Sequence, residues 1–131
     1  MIRAILLAAA AVTLTSAAAP VAAQTMPLDQ FIERGTKLQR KGPLAMLHRS
    51  EIKLLMGEGR AAGELNRAER IADEKAGRKA AYCPPANAKA QNINPQQLLG
   101  ELRAIPAAKR RGMTVRDGMR HLSAQRYPCP A

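Results

Sequence analysis

A chain of 131 residues with 21 Lys and Arg against 10 Asp and Glu carries a formal charge of +11, and its only aromatic residues are Phe31, Tyr82 and Tyr127. The length holds one domain with a modest core and excludes two. So few aromatics exclude the base-stacking platform of single-stranded nucleic-acid binders, so nucleic acid is not the expected partner; a positive field favours acidic proteins, anionic lipid surfaces or cell-wall polymers, and it also reads as an ordinary solvated surface.

Met1-Ile2-Arg3 is a short basic start, Ala4 to Leu14 is apolar and uncharged, and Ala17 to Ala23 is built almost wholly of small residues. This is the layout of a secretory signal peptide. The apolar stretch is shorter than the about 20 residues of a bilayer span; a retained anchor or a surface helix is the alternative reading. Val21-Ala22-Ala23 suits a signal peptidase, so residues 1–23 are expected to be removed before Gln24, leaving 24–131 as a single helical domain in the periplasm. No cysteine follows the cut to take a lipid, so no stable membrane anchor is expected. Losing Arg3 lowers the charge only from +11 to +10.

Beyond residue 23 the chain has one valine, Val115, amid abundant Ala, Leu, Arg, Glu, Lys and Gln. That balance favours helix over strand, and the expected fold class is all-α, a small bundle of about four helices. Leu28, Phe31, Ile32, Gly35 and Leu38 recur at helical spacing between Thr25, a candidate cap, and the Gly42-Pro43 breaker, predicting a first helix over about 27–41 with Glu33 and Lys37 paired one turn apart. Pro43 to Leu47 reads as a helical turn carrying Leu44, Met46 and Leu47 to the core. Ser50 is the expected cap of a helix over about 51–80, whose register runs through Ile52, Leu55, Met56, Gly59, Ala62, Leu65, Ala68, Ile71, Ala72 and Ala76 and ends at Gly77 or a few residues later. Arg70, Glu74 and Arg78 form an expected ion-pair ladder on its outer face. At 1.5 Å per residue such a helix runs about 45 Å, against roughly 34 Å for a compact domain of this size. Either the helix bends or breaks among Gly57, Gly59 and Gly63 or it projects beyond the body, and a bend or a close crossing there is the expected outcome.

Tyr82-Cys83-Pro84-Pro85 ends that helix, and a loop runs to Asn94. Asn94, Pro95 and Gln97 make a capping box for a helix whose stripe is Leu98, Leu99, Leu102 and Ile105, stopped by Pro106. After the basic turn Lys109-Arg110-Arg111-Gly112, Thr114 and Asp117 cap a last helix with Val115, Met119 and Leu122 inward. Two cysteines in an exported chain are most simply one bridge, Cys83 to Cys129; the alternatives are free thiols or pairing between chains. The bridge would close 46 residues, worth roughly 4 kcal/mol in the chain-entropy model.

Little of this points to chemistry. Gly57-Glu58-Gly59-Arg60-Ala61-Ala62 matches a loose dinucleotide fingerprint, which needs a parallel sheet that the remaining sequence does not supply, so these glycines read as packing or bending points. His48 and His121 lack a metal-ligand pattern, and Asp117 with His121 reads as a capping Asp beside a surface His rather than an acid/base pair. The chain is read as not an enzyme, with no catalytic residue, no metal and no cofactor.

Tyr82-Cys83-Pro84-Pro85, Leu98-Leu99, Ile105-Pro106, Leu122 and Tyr127-Pro128-Cys129 together resemble the Rap/Tai-type periplasmic immunity proteins of type VI secretion, over the C-terminal half of the chain. The resemblance implies a disulfide-stabilised helical protein that occludes the cleft of a cell-wall amidase delivered by a rival cell, in a 1:1 complex or a 2:2 complex through a homodimer. By position, the partner-binding candidates are Asn87 and Lys89 in the loop after Pro85 and the turn Lys109, Arg110 and Arg111; plain connectors are the competing reading of both. A different class of function is an envelope-associated structural or chaperone-like protein that binds anionic wall polymer.

Overall fold

The computed structural model describes residues 26–88 and 94–131. The expected export signal, the Thr25 cap and Lys89 lie outside the described residues. Among the described residues the fold is all-α: α1 (Leu28–Arg40), a 3-10 turn (Gly42–Leu47), α2 (Arg49–Lys75), α3 (Pro95–Ala104), a single-turn α4 (Ala107–Arg110) and α5 (Val115–Arg126). Here α2 lies mainly along α5 and α1 mainly along α3, while α5 also touches α1 and α3.

The core gathers Leu28, Phe31 and Ile32 of α1, Leu55 and Ala62 of α2, Leu99, Leu102 and Ile105 around α3, and Val115 of α5. These are largely the apolar positions of the helical periodicities, and burying each such side chain contributes roughly 1.5–3 kcal/mol. Gly118 lets α5 close on its neighbours: a Cβ there would stand 2.8 Å from a methyl of Leu28 and 3.1 Å from one of Leu102. Both leucines are fully buried.

The starts of α1 and α5 satisfy each other. The Leu28 N–H donates to the Met113 carbonyl (2.9 Å) and the Val115 N–H to the Met26 carbonyl (2.9 Å), an antiparallel bridge centred on Pro27 and Thr114. The Met26 N–H in turn donates to the buried Glu58 carboxylate of α2 at 2.8 Å. Helix-start N–H groups have no partner inside their own helix, so α1 needs no side-chain cap and has none. The local cap does form on α5: Thr114 Oγ1 accepts from the Asp117 N–H (3.2 Å) and Asp117 accepts from the Thr114 N–H (3.0 Å).

Several expectations are corrected. Leu44, Met46 and Leu47 point to solvent, 63 %, 63 % and 79 % exposed, rather than into the core. The residues are spent on linking the ends of α1 and α2 after Gly42 breaks α1 with a left-handed φ of 52°. Ser50 does not cap α2, which begins one residue before it after His48. The helix stops at Lys75, at the Gly77 end of the expected range and not near 80, because Gly77 adopts φ 69° and closes the end: Arg78 N–H donates to the Asp73 carbonyl (2.8 Å) and Gly77 N–H to that of Glu74 (3.2 Å). Arg78 therefore pairs with Asp73 (2.9 Å), leaving Arg70 and Glu74 as the one helical rung of the expected ladder (2.6 Å). At α3, Asn94 caps by accepting from the Gln96 N–H (2.9 Å), but Gln97 reaches forward to Glu101 instead of completing a box.

α2 is continuous through its glycines, about 40 Å long at 1.5 Å per residue. Gly57 and Gly59 face open space, so they are not packing points; a Cβ at Gly63 would make an ordinary contact with Met119 of α5 at 3.7 Å. Cys83 and Cys129 form the disulfide, and the Cys83 N–H donates to the Tyr127 carbonyl (2.8 Å) beside it. The bridge ties the chain leaving α2 to the chain leaving α5.

Three stability outcomes follow. Gly57→Ala or Gly59→Ala should stabilise the protein by about 0.5–1 kcal/mol, since a helical glycine in open space gains propensity and meets nothing. Gly118→Ala should instead destabilise it by about 1–3 kcal/mol, because overpacking against two buried leucines outweighs the propensity gain; urea denaturation of the three variants checks the opposite signs. Replacing Cys83 and Cys129 by Ser should cost about 2–5 kcal/mol by the same measurement.

Candidate functional site

α2 buries a stripe at spacings of three and four residues, Leu55, Glu58, Ala62 and Asn66, continuing to half-buried Glu69. Its polar members are structural. Asn66 donates to the Arg116 carbonyl (3.0 Å) and accepts from the Arg116 guanidinium (3.2 Å). Glu69 receives Arg116 and, at 2.6 Å, Arg120. Sequence reasoning passed over Glu58, Asn66 and Glu69 because it followed apolar residues alone; the same three-four spacing carried the signal.

The other carboxylates are spent in the same way. Arg34 binds Glu51 through two nitrogens, joining α1 to α2. Glu101 holds Arg126 (2.9 Å), joining α3 to α5, and Asp29 holds Arg110 (2.9 Å), joining α1 to α4. Glu33 pairs with Lys37 at 2.7 Å as the sequence spacing predicts. Every carboxylate except Glu64 thus has a partner among the described residues. The hydrogen bond from Arg34 holds the Glu51 carboxyl below its usual range, and the one from Lys37 does the same for Glu33. The Thr114 N–H does so for Asp117, against a smaller opposing effect of burial.

The sequence-predicted contact residues divide. Asn87 is exposed in the turn after Pro85, and Lys109 and Arg111 are exposed at α4. Arg110 is not presented to a partner: its guanidinium turns back to Asp29 and to the carbonyls of Arg103 (2.7 Å) and Ile105 (3.2 Å), which fixes α4 against α1 and α3. Residues 57–62 lie inside a helix, so the dinucleotide fingerprint has no strand-to-helix turn to build on. The Asp117 oxygen nearest a donor is taken by the backbone and hydroxyl of Thr114, the capping role expected of it. Among the described residues no three His, Cys, Asp or Glu side chains converge as metal ligands.

The spending of acids leaves cations outside. Arg49, Lys53, Arg60 and Arg67 are exposed and take part in no ion pair among the described residues. At 100° per residue they lie within about 40° of one another on α2, opposite its buried stripe. No protein family matches the chain, and no curated protein or solved structure is significantly similar to it.

The depressed Asp117 carboxyl sets a pH dependence. A carboxyl whose folded value lies below its usual 3.8 contributes stability that is complete above that range and is lost as pH falls through the folded value. Thr114→Ala should cost about 1 kcal/mol at neutral pH. Asp117→Asn should flatten the acid-side fall in stability below about pH 4. Urea midpoints measured across that range test both; an Asp117→Asn profile parallel to the parent would show that the box adds no pH-dependent stability.

Proposed function

We propose that this chain is an exported, non-enzymatic binding protein of the immunity type, which occludes the cleft of a cell-wall amidase. The observation that carries the reading is the division of charge: all carboxylates but that of Glu64 have partners among the described residues, in clamps between helices, in pairs within a helix or in a cap, and unpaired Lys and Arg side chains face outward, a field that draws and orients an acidic partner. The intrachain Cys83–Cys129 disulfide supports residence in an oxidising compartment such as the periplasm. Among the described residues no helix is long and apolar enough to cross a membrane. On this reading Asn87, Lys109 and Arg111 meet the partner, with Lys89 in the same loop, and Arg110 shapes the turn from behind.

The row Arg49, Lys53, Arg60 and Arg67 favours a second reading, an envelope-associated protein held on anionic wall polymer. The two separate in one experiment. The chain from Gln24 onward is mixed with an amidase encoded beside it, and complex formation and peptidoglycan hydrolysis are followed. The first reading expects a stoichiometric complex and inhibition, weakened about tenfold or more by Lys109→Glu with Arg111→Glu, as for charges facing a complementary rim. Arg110→Glu should lower the melting temperature as well, since Asp29 and two carbonyls lose their donor. Absence of any complex, together with salt-sensitive retention on purified cell wall, would replace the first reading by the second.

A further inference from the structure

The surface holds one feature that the immunity reading leaves unused. The 3-10 turn exposes Leu44, Met46 and Leu47, and the first turns of α2 expose Leu54 (44 %) and Met56 (56 %). The three on the turn fall within four consecutive residues and mark an interaction surface; Leu54 and Met56 stand on opposite sides of α2, and Met56 alone lies near the face of Lys53. Arg40 and Lys41 precede the turn, Arg49 and Lys53 follow it, and all four are exposed without an ion pair among the described residues. The one acid nearby, Glu51, is held by Arg34. The turn leaves the C-terminal end of α1, whereas Asp29 anchors α4 near the other end, about 18 Å away along the helix. The apolar corner and the Lys109–Arg111 turn are therefore separate surfaces.

We infer that this corner is a reversible docking site for an anionic lipid surface, with Leu44, Met46 and Leu47 entering the headgroup region and the flanking cations on the phosphates. Charge selects the class of occupant. A second copy of the chain would bring one basic rim against another. A protein interface draws its core from aromatic side chains and is poor in lysine; here there is no aromatic and Lys41 and Lys53 flank the patch. A lipid surface accepts protruding aliphatic side chains without a matching cavity, and long cationic side chains reach from it to phosphate. The row on α2 extends the contact: Arg49, Lys53, Arg60 and Arg67 span about 27 Å along one face, and exposed Met56 falls within that face between Lys53 and Arg60. The solvated pair Glu33 and Lys37 joins charges one turn apart, whereas Arg60 and Arg67 make no ion pair with exposed Glu64, which lies within a turn of both.

The site is independent of any amidase. The test uses the chain from Gln24 onward, which retains every described residue and the whole core and omits the apolar Ala4–Leu14 stretch. It is floated with vesicles of phosphatidylcholine alone and of phosphatidylcholine mixed with phosphatidylglycerol. Partition into the anionic vesicles only is expected, falling about tenfold or more both in Leu44→Ser, Met46→Ser, Leu47→Ser and in Arg49→Glu, Lys53→Glu, since apolar insertion and cationic attraction each supply part of the affinity. All five positions have exposed side chains without hydrogen-bond partners among the described residues, so both variants should keep the helical circular dichroism and the disulfide mass of the parent. The inference is overturned by no partition at all, by equal partition into both vesicle types, or by unchanged partition of the triple Ser variant, which would be binding by charge alone. It is also overturned if sedimentation shows a dimer that the triple Ser variant dissolves, which would assign the corner to a second copy.

Discussion

The reciprocal pairing of Met26–Leu28 with Met113–Val115 is the constraint on which the rest of the packing depends. Two helix starts, each the positive end of its dipole, are brought side by side. Such a meeting is unfavourable unless anionic groups lie close, and the three elements involved supply them: Glu58 from α2 accepts the Met26 N–H, Asp29 sits in the first turn of α1 and Asp117 in that of α5. Once the two backbones are locked, Leu28 and Val115 are placed beside Leu102 in the part of the core that excludes solvent most completely. Gly118 one turn into α5 is then required, since nothing larger fits against Leu28 and Leu102.

The disulfide acts at the other end of α5. A helix of 12 residues separates the two ties by about 18 Å, so α5 is held at its start by α1 and α2 and at its end by the chain that leaves α2. Between them Asn66 and Glu69 grip Arg116 and Arg120. The polar groups along this seam are satisfied, which is what allows Asn66 to be buried at little cost. α5 is thus the strut against which α2, more than a domain's breadth long, is supported, while the first turns of α2 are held to α1 by the Arg34–Glu51 pair.

Charge links the fold to what the molecule can do. The acids are nearly all paired, several of them in clamps between helices, and the excess of Lys and Arg over Asp and Glu leaves unpaired cations on the exterior. Two of the regions where cations are exposed stand at opposite ends of α1. One is a short polar turn, suited to a complementary rim; the other is a basic border around protruding leucine and methionine, suited to an anionic interface.

Much that rests on local contacts could be read from the amino-acid order, although the Ser50 cap, the Gln97 half of the capping box and the Glu74–Arg78 rung did not form. The helical stripes of α1, α3 and α5, the breaks at Gly42 and Pro106, the Thr114–Asp117 box and the Glu33–Lys37 pair all depend on residues within one or two turns, and the two cysteines had one partner each to choose. Tertiary structure alone decided the inward turn of Arg110 to Asp29, the burial of Glu58 under Met26, the replacement of a side-chain cap on α1 by the Met113 carbonyl, and the outward direction of Leu44, Met46 and Leu47. The physical reason is the same in each case. Periodicity shows that a side chain is apolar or charged and which neighbours share its helix face, but not which distant segment will stand opposite. A charge 81 residues away, as for Arg110 and Asp29, or a core that ends one turn too early, enters only when the helices have packed.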